Sequence, residues 1–150
     1  MKKPKSLKPI KIRKMLIKDL PQVLNIKQSI TKFEKTKVKI TVLKEHIRKE
    51  GTICLVALAD GEVIGYVISE IMTNSFGLDQ GGWIEDFGVH SKHMGEGLGQ
   101  ALFTALFELF RKRQIFEIYT AALWDSVDIM SFFKSIGFDR SNFINLYKKL

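Results

Sequence analysis

Cysteine and proline are scarce in this chain of 150 residues: Cys54 is the one cysteine, and the prolines are Pro4, Pro9 and Pro21. A single thiol excludes an internal disulfide framework and any zinc site built from several cysteines. Cys54 stands in the apolar run Ile53-Cys54-Leu55-Val56, where a small buried residue is the simplest reading, and the missing disulfides point to a reducing, cytoplasmic setting. Apolar residues nowhere run long enough to span a bilayer; the longest block, residues 101–110, is interrupted by Thr104 and Glu108 and reads as a core helix. Residues 1–18 are basic, but no apolar segment follows, which excludes a secretory signal. No Ser/His/Asp or Cys/His arrangement suggests a covalent intermediate, and His90 and His93, three apart, read as loop histidines rather than a metal pair.

Acidic residues are missing from one end of the chain, and basic ones from its middle. Residues 1–18 hold eight Lys/Arg and no Asp/Glu, so the net charge of +8 lies there and the remainder is formally neutral. Residues 51–110 carry eight acids against a single base, Lys92. A basic arm can touch nucleic acid or acidic partners, but no aromatics are interleaved with its lysines, which favours a solvated tail. Hydrophobic content of 45% and charged content of 27% are globular values. Length argues for one domain, taken as residues 10–150 behind a basic arm at 1–9.

Periodicity sets out the elements. Residues 10–15 alternate as a strand; Asp19 can cap a helix that tolerates Pro21 in its first turn. The lysine-rich residues 31–39 read as a linker, Thr41 as the cap of a second helix, and Gly51 as its stop. Two strands, 52–59 and 62–72, meet across Asp60-Gly61, a strong hairpin signal. Polar residues and glycines make 73–82 a loop. Residues 115–123 are β-rich, Asp125 or Ser126 can cap a short helix ending before Gly137, and 138–150 read as one or more closing strands. The order β-α-α-β-β-β-α-β-α-β implies an α/β or α+β domain with a mixed sheet.

The organising stretch is residues 83–99, WIEDFGVHSKHMGEGLG. An apolar strand with two carboxylates leads through a polar loop to Gly95, Gly97 and Gly99, and a long apolar helix follows over 98–113. Glycines at a helix start let backbone N–H groups approach a ligand, and the helix dipole adds positive potential, so the spacing makes an anion site. Histidines 90 and 93 sit in that loop and His46 in a charged helix; all three read as solvent-facing.

This stretch resembles the GNAT superfamily of acyl-CoA-dependent N-acyltransferases. Its central motif, Arg/Gln-x-x-Gly-x-Gly/Ala after a strand ending in Val, falls on Met94-Gly95-Glu96-Gly97-Leu98-Gly99 behind Val89. The resemblance implies a mixed, mostly antiparallel sheet flanked by helices on both faces, with acetyl-CoA held by Phe87, Gly88, Val89, Met94, Gly95, Glu96, Gly97, Leu98, Gly99 and Gln100. Met94 replaces the usual Arg or Gln. A second motif, Asn-x-x-Ala-x-x-Phe-Tyr-x-x-x-Gly-Phe, falls on Ser126, Ile129, Phe132, Phe133, Gly137 and Phe138. Ser126 then stands for the cofactor-contacting Asn, and Phe133 for the Tyr that protonates the departing thiolate, so Phe133→Tyr is expected to raise turnover or leave it unchanged. Tyr119 is the first substitute donor.

Direct acyl transfer needs a base for the amine proton and a donor for the carbonyl oxygen. The wording Ile84-Glu85-Asp86-Phe87 looks most like the spermidine/spermine branch, which makes Glu85 the expected base. Strand alternation puts Glu85 on the face of Trp83, Phe87 and Val89, with Asp86 opposite. Glu85 and Asp86 are the expected contacts for a cationic primary amine: a polyamine, a lysine-like compound or a protein amine. Phe103, Phe107 and Phe110 pack on the sheet or serve a homodimer interface. Against the enzyme stand an acyl-CoA-binding regulatory domain with degraded catalysis, toward which Met94, Ser126 and Phe133 depart, and a binding module using the basic arm.

Overall fold

A computed structural model describes residues 9–30 and 40–150. The linker expected at 31–39 lies outside these residues, as does the arm apart from Pro9. Strand β1 (Lys11–Lys14) is followed by a 3-10 turn (Ile17–Asp19), helix α1 (Leu20–Ile30) and helix α2 (Ile40–Arg48). Strands β2 (Thr52–Ala59), β3 (Glu62–Ser75) and β4 (Leu78–Val89) then run antiparallel. Helix α3 (Leu98–Lys112), strand β5 (Ile118–Thr120) and helix α4 (Val127–Ser135) complete the elements. The sheet order is β1-β2-β3-β4-β5, and only β4 and β5 pair in parallel.

The pleat of β2 shows why helices cover both faces. Ile53, Leu55 and Ala57 point into a core built with Leu102, Phe103, Leu106 and Phe110 of α3. Cys54, Val56 and Leu58 point into the other, with Leu20, Val23 and Ile26 of α1 and Leu43 of α2. A strand buried on both sides reads as a continuous apolar run rather than an alternation. Fully burying each large side chain stabilises the fold by about 1.5–3 kcal/mol. Phe103 and Phe110 are buried in this core, and Phe107 packs partly against it. Burial pushes the Cys54 thiol up to about 11, which keeps it protonated and inert.

The Asp60-Gly61 hairpin forms as expected, with φ of +51° and +78° at its two turn residues. Four local expectations do not hold. Asp19 does not cap α1: it is buried, accepts the Leu16 N–H at 2.7 Å, and binds Arg13 through both oxygens at 2.7 and 2.8 Å. It thereby clamps β1 to the turn before α1. Thr41 lies inside α2, which starts at Ile40. Residues 73–82 are not a loop; β3 and β4 continue into a second hairpin turning at Phe76-Gly77, with φ of +55° and +72°. Its polar side chains Asn74, Asp79 and Gln80 are exposed at the tip, and backbone pairing, not composition, makes the strands. Residues 138–150 form no strand, and only Ile118–Thr120 of the β-rich 115–123 does. Strand propensity is a preference for a pleated, half-buried surface. Tyr147 is 88% exposed and has no such surface around it.

Candidate active site

Strand β4 is paired on both sides only as far as Ile84. Gly82, Trp83 and Ile84 align with Ile118, Tyr119 and Thr120, and the Thr120 hydroxyl donates to the Ile84 carbonyl at 3.0 Å. Beyond that point β4 keeps β3 but loses β5, so the sheet splits and, among the described residues, backbone groups of residues 85–89 have no strand partner on one edge. The split coincides with a β-bulge. Ile68 aligns with Asp86 and Ser69 with Ile84, which leaves Glu85 as the extra residue. Bulges redirect side chains and are over-represented next to active sites.

The bulge overturns the alternation expected for the two carboxylates. Glu85 and Asp86 both face α1 and α2, while Phe87 packs against Phe103 of α3 on the other side. Glu85 Oε2 lies 2.8 Å from His46 Nε2, with the two side chains 27% and 21% exposed. This approach has ion-pair distance but lacks hydrogen-bond alignment, and Nε2 is buried with no other partner. Burial raises the Glu85 pKa above the ordinary carboxylate value. The nearby His46 opposes this, and repulsion from Glu70 reinforces it. Asp86 accepts from Lys27 Nζ at 2.7 Å and from the Tyr66 hydroxyl at 3.1 Å. Burial and the Asp86 charge push Tyr66 far up, so it stays a phenol and donates. His46, expected at the surface, is the residue that sequence reasoning missed here; its place in an amphipathic helix was the only available signal.

On the α3 side of the split lies a cleft of about 300 Å³. Phe87 and Val89 form one wall and Phe132 and Ser135 of α4 another, with Met94, Gly95, Gly97, Leu98, Gly99 and Gln100 between them. Gly95 and Gly97 have φ of +79° and +75°, and a Cβ on either would meet nothing within 4 Å, so both backbones face open space. Gly97 is the N-cap of α3 and offers no capping side chain. The first-turn N–H groups of this helix are therefore available to an outside acceptor. Gly99 serves packing instead, since a Cβ there would approach the Phe132 ring to 3.0 Å.

Of the residues expected to hold the cofactor, eight line this cleft, and Gly88, Glu96 and Ser126 do not. A Cβ on Gly88 would meet Ile30 and Tyr66 on the opposite face. Glu96 Oε2 lies 3.0 Å from His93 Nδ1, and His93, expected to be solvated, joins the cleft wall. Ser126 occupies the N-cap position of α4 without a capping bond. Phe133 is 6% exposed and packs one ring behind Phe87, at 5.4 Å, and against Phe138 at 5.0 Å. A donor at that position would point into the core. Tyr119 is no substitute, for it stacks on Phe76 at 4.3 Å and does not line the cleft.

A free strand edge, open glycine backbones and a helix N-terminus fit a thioester arm ending in a pyrophosphate. Several solved proteins share this architecture. An aminoglycoside acetyltransferase from an uncultured soil metagenomic sample, crystallised with trehalose, superposes with a TM-score of 0.81 at 18% identity, covering 94% of this chain and 96% of that one. The aminoglycoside N-acetyltransferase AAC(6′)-Iy, in complex with a bisubstrate analogue, CoA-S-monomethyl-acetylneamine, gives 0.81 at 16% identity, covering 95% and 99%. An acetyltransferase of Trypanosoma brucei gives 0.74 at 23% identity, covering 95% and 100%. These likenesses establish the fold. No curated protein matches the chain. The acetyltransferase (GNAT) family matches residues 17–138, from the turn before α1 to the end of the second motif. Because that match spans more than half of the sequence and contains both the cradle and the split strand, the chain belongs to the acetyltransferase (GNAT) family, enzymes that take their acetyl group from acetyl-CoA.

Proposed function

We propose that this protein, a single domain over residues 10–150, transfers the acetyl group of acetyl-CoA to a cationic primary amine, with Glu85 as general base. The observation that carries the reading is the position of Glu85: at the bulge, where the free edge of β4 begins, with its carboxylate on the α1–α2 face. The amides of Gly95, Gly97 and the first turn of α3 would hold the pyrophosphate, and the edge of residues 87–89 the pantetheine arm. Bound acetyl-CoA supplies an acyl carbon activated as a thioester. Outward N–H groups of the unpaired edge can donate to the carbonyl oxygen as charge develops on it.

Glu85 takes the proton that the attacking nitrogen must lose, and its raised pKa brings it nearer to neutral pH, where a base works best. Glu70, Glu85 and Asp86 lie on the acceptor side, each beside a basic residue of this chain (Lys49, His46 and Lys27), and an incoming ammonium group would compete with these for the carboxylates. The local sequence Ile84-Glu85-Asp86-Phe87 favours a polyamine, and the aminoglycoside acetyltransferases of the same fold add polyamino sugars to the candidates. The test is thiol release from acetyl-CoA across a panel of spermidine, lysine peptides and aminoglycosides. Turnover of at least one, reduced about 10²–10⁴-fold in Glu85→Gln, supports the reading. Coenzyme A binding with no turnover on any amine overturns it.

A further inference from the structure

Glu85 must lose the proton it gains before it can act again, and one neighbour stands ready to take it. His46, in the last turn of α2, presents Nε2 at 2.8 Å from Glu85 Oε2. That nitrogen is buried and, among the described residues, lacks a hydrogen-bond partner, with the Glu85 carboxylate at ion-pair distance. The other charged groups around Glu85 have different partners. Glu70 of β3 lies 3.6 Å from Lys49, and Asp86 holds Lys27 and Tyr66. Imidazole is the side chain suited to accepting and releasing protons near neutral pH, and its two nitrogens allow entry at one and exit at the other.

We infer that His46 is the relay and positioning partner of Glu85, carrying the acceptor's proton from the buried carboxylate to solvent. The inference rests on Glu85 being the base. The amine nitrogen gives its proton to the Glu85 carboxylate, making the carboxylic acid. The acid passes that proton to His46 Nε2, restoring the carboxylate and making an imidazolium. The imidazolium then loses the Nδ1 proton to water. One proton enters and one leaves, so both residues return to their starting charge, and exchange of the ring protons with water restores the tautomer with Nε2 free for the next turnover. The 21% exposure of the His46 side chain provides the exit.

The experiment compares wild type, His46→Ala, Glu85→Gln and the double variant over a range of pH. His46→Ala should lower kcat about 10–100-fold while the acetyl-CoA KM stays within twofold. Added imidazoles should restore kcat in proportion to their basicity, which refilling a cavity would not do. In the Glu85→Gln background the histidine change should cost nothing further, as expected of coupled groups. Wild-type kcat in His46→Ala, or a loss that no imidazole rescues, overturns the relay. If Glu85→Gln keeps full turnover, the base assignment fails instead, and the two failures are told apart. Should His46→Ala not fold, His46→Gln, which keeps a nitrogen but cannot relay, must show the same loss of kcat. Ring-detected NMR reads the pair without any acceptor amine. The His46 signals must titrate differently in Glu85→Gln than in wild type, and identical curves overturn the coupling.

Discussion

Glu85 and Asp86, consecutive on β4, turn their carboxylates to the same side of the sheet, one toward His46 of α2 and the other toward Lys27 of α1. Two neighbours on a regular strand would face opposite ways. The bulge opposite Ile68 and Ser69 removes that constraint, and it gathers charge where the strand loses its β5 partner.

Coenzyme A binding should depend on the open backbone at Gly97. Its φ of +75° makes any side chain strained, so Gly97→Ala measures strain and Gly97→Asp adds a charge where the pyrophosphate approaches. Calorimetry should show at least about tenfold weaker coenzyme A binding for Asp than for Ala, from about 1.4 kcal/mol of extra repulsion. Equal affinities would move the phosphate site away from the glycine loop.

Turnover should rise with pH as Glu85 loses its proton. Burial and Glu70 hold its pKa above the ordinary carboxylate value, so this limb of kcat/KM should lie at higher pH than a solvated glutamate would give. Glu70→Gln removes a like charge and should shift the limb toward acid. A limb unmoved by Glu70→Gln, or still present in Glu85→Gln, would assign it to another group.

Asp19 ties stability to pH through a shift in the other direction, a lowered pKa. Burial opposes its ionisation, but the bonds from Arg13 and the Leu16 N–H outweigh burial and hold the carboxyl below its ordinary value. The pair's contribution is therefore complete above the ordinary Asp value and lost as pH falls through the lowered one. Urea unfolding at pH 7 should find Asp19→Asn less stable by about 1–3 kcal/mol, a gap that closes on acidification. A gap constant down to pH 3 would show that the clamp is not ionic.

Phe133→Tyr should now lower stability rather than raise turnover. Its ring is enclosed by Phe87, Phe103 and Phe138, and a hydroxyl added there is buried among rings at a cost of about 1–3 kcal/mol. Thermal unfolding and amine acetylation measured on the same preparation decide the matter. Faster turnover at unchanged melting temperature would mean that the phenol reaches the cleft.

The parts of the site that could be read along the chain are those whose physics is local. Gly95 and Gly97 before an apolar helix read as an anion cradle from the local sequence alone, because a helix start leaves its N–H groups unpaired. Asp60-Gly61 makes its turn for a similarly local reason, since both residues tolerate positive φ. The rest was decided by pairing between distant segments. Whether Glu85 shares a face with Phe87 or with Asp86 depends on register against Ile68 and Ser69, and a strand read alone carries no register. Phe76-Gly77 turns because β3 and β4 go on pairing past residue 72, although the composition there resembles a loop. The partner of Glu85 is 39 positions away in sequence, on a helix whose pattern marks only its buried stripe. Residues 138–150 carry strand-forming side chains yet form no strand, because β structure needs a neighbouring edge, and the local sequence cannot supply one.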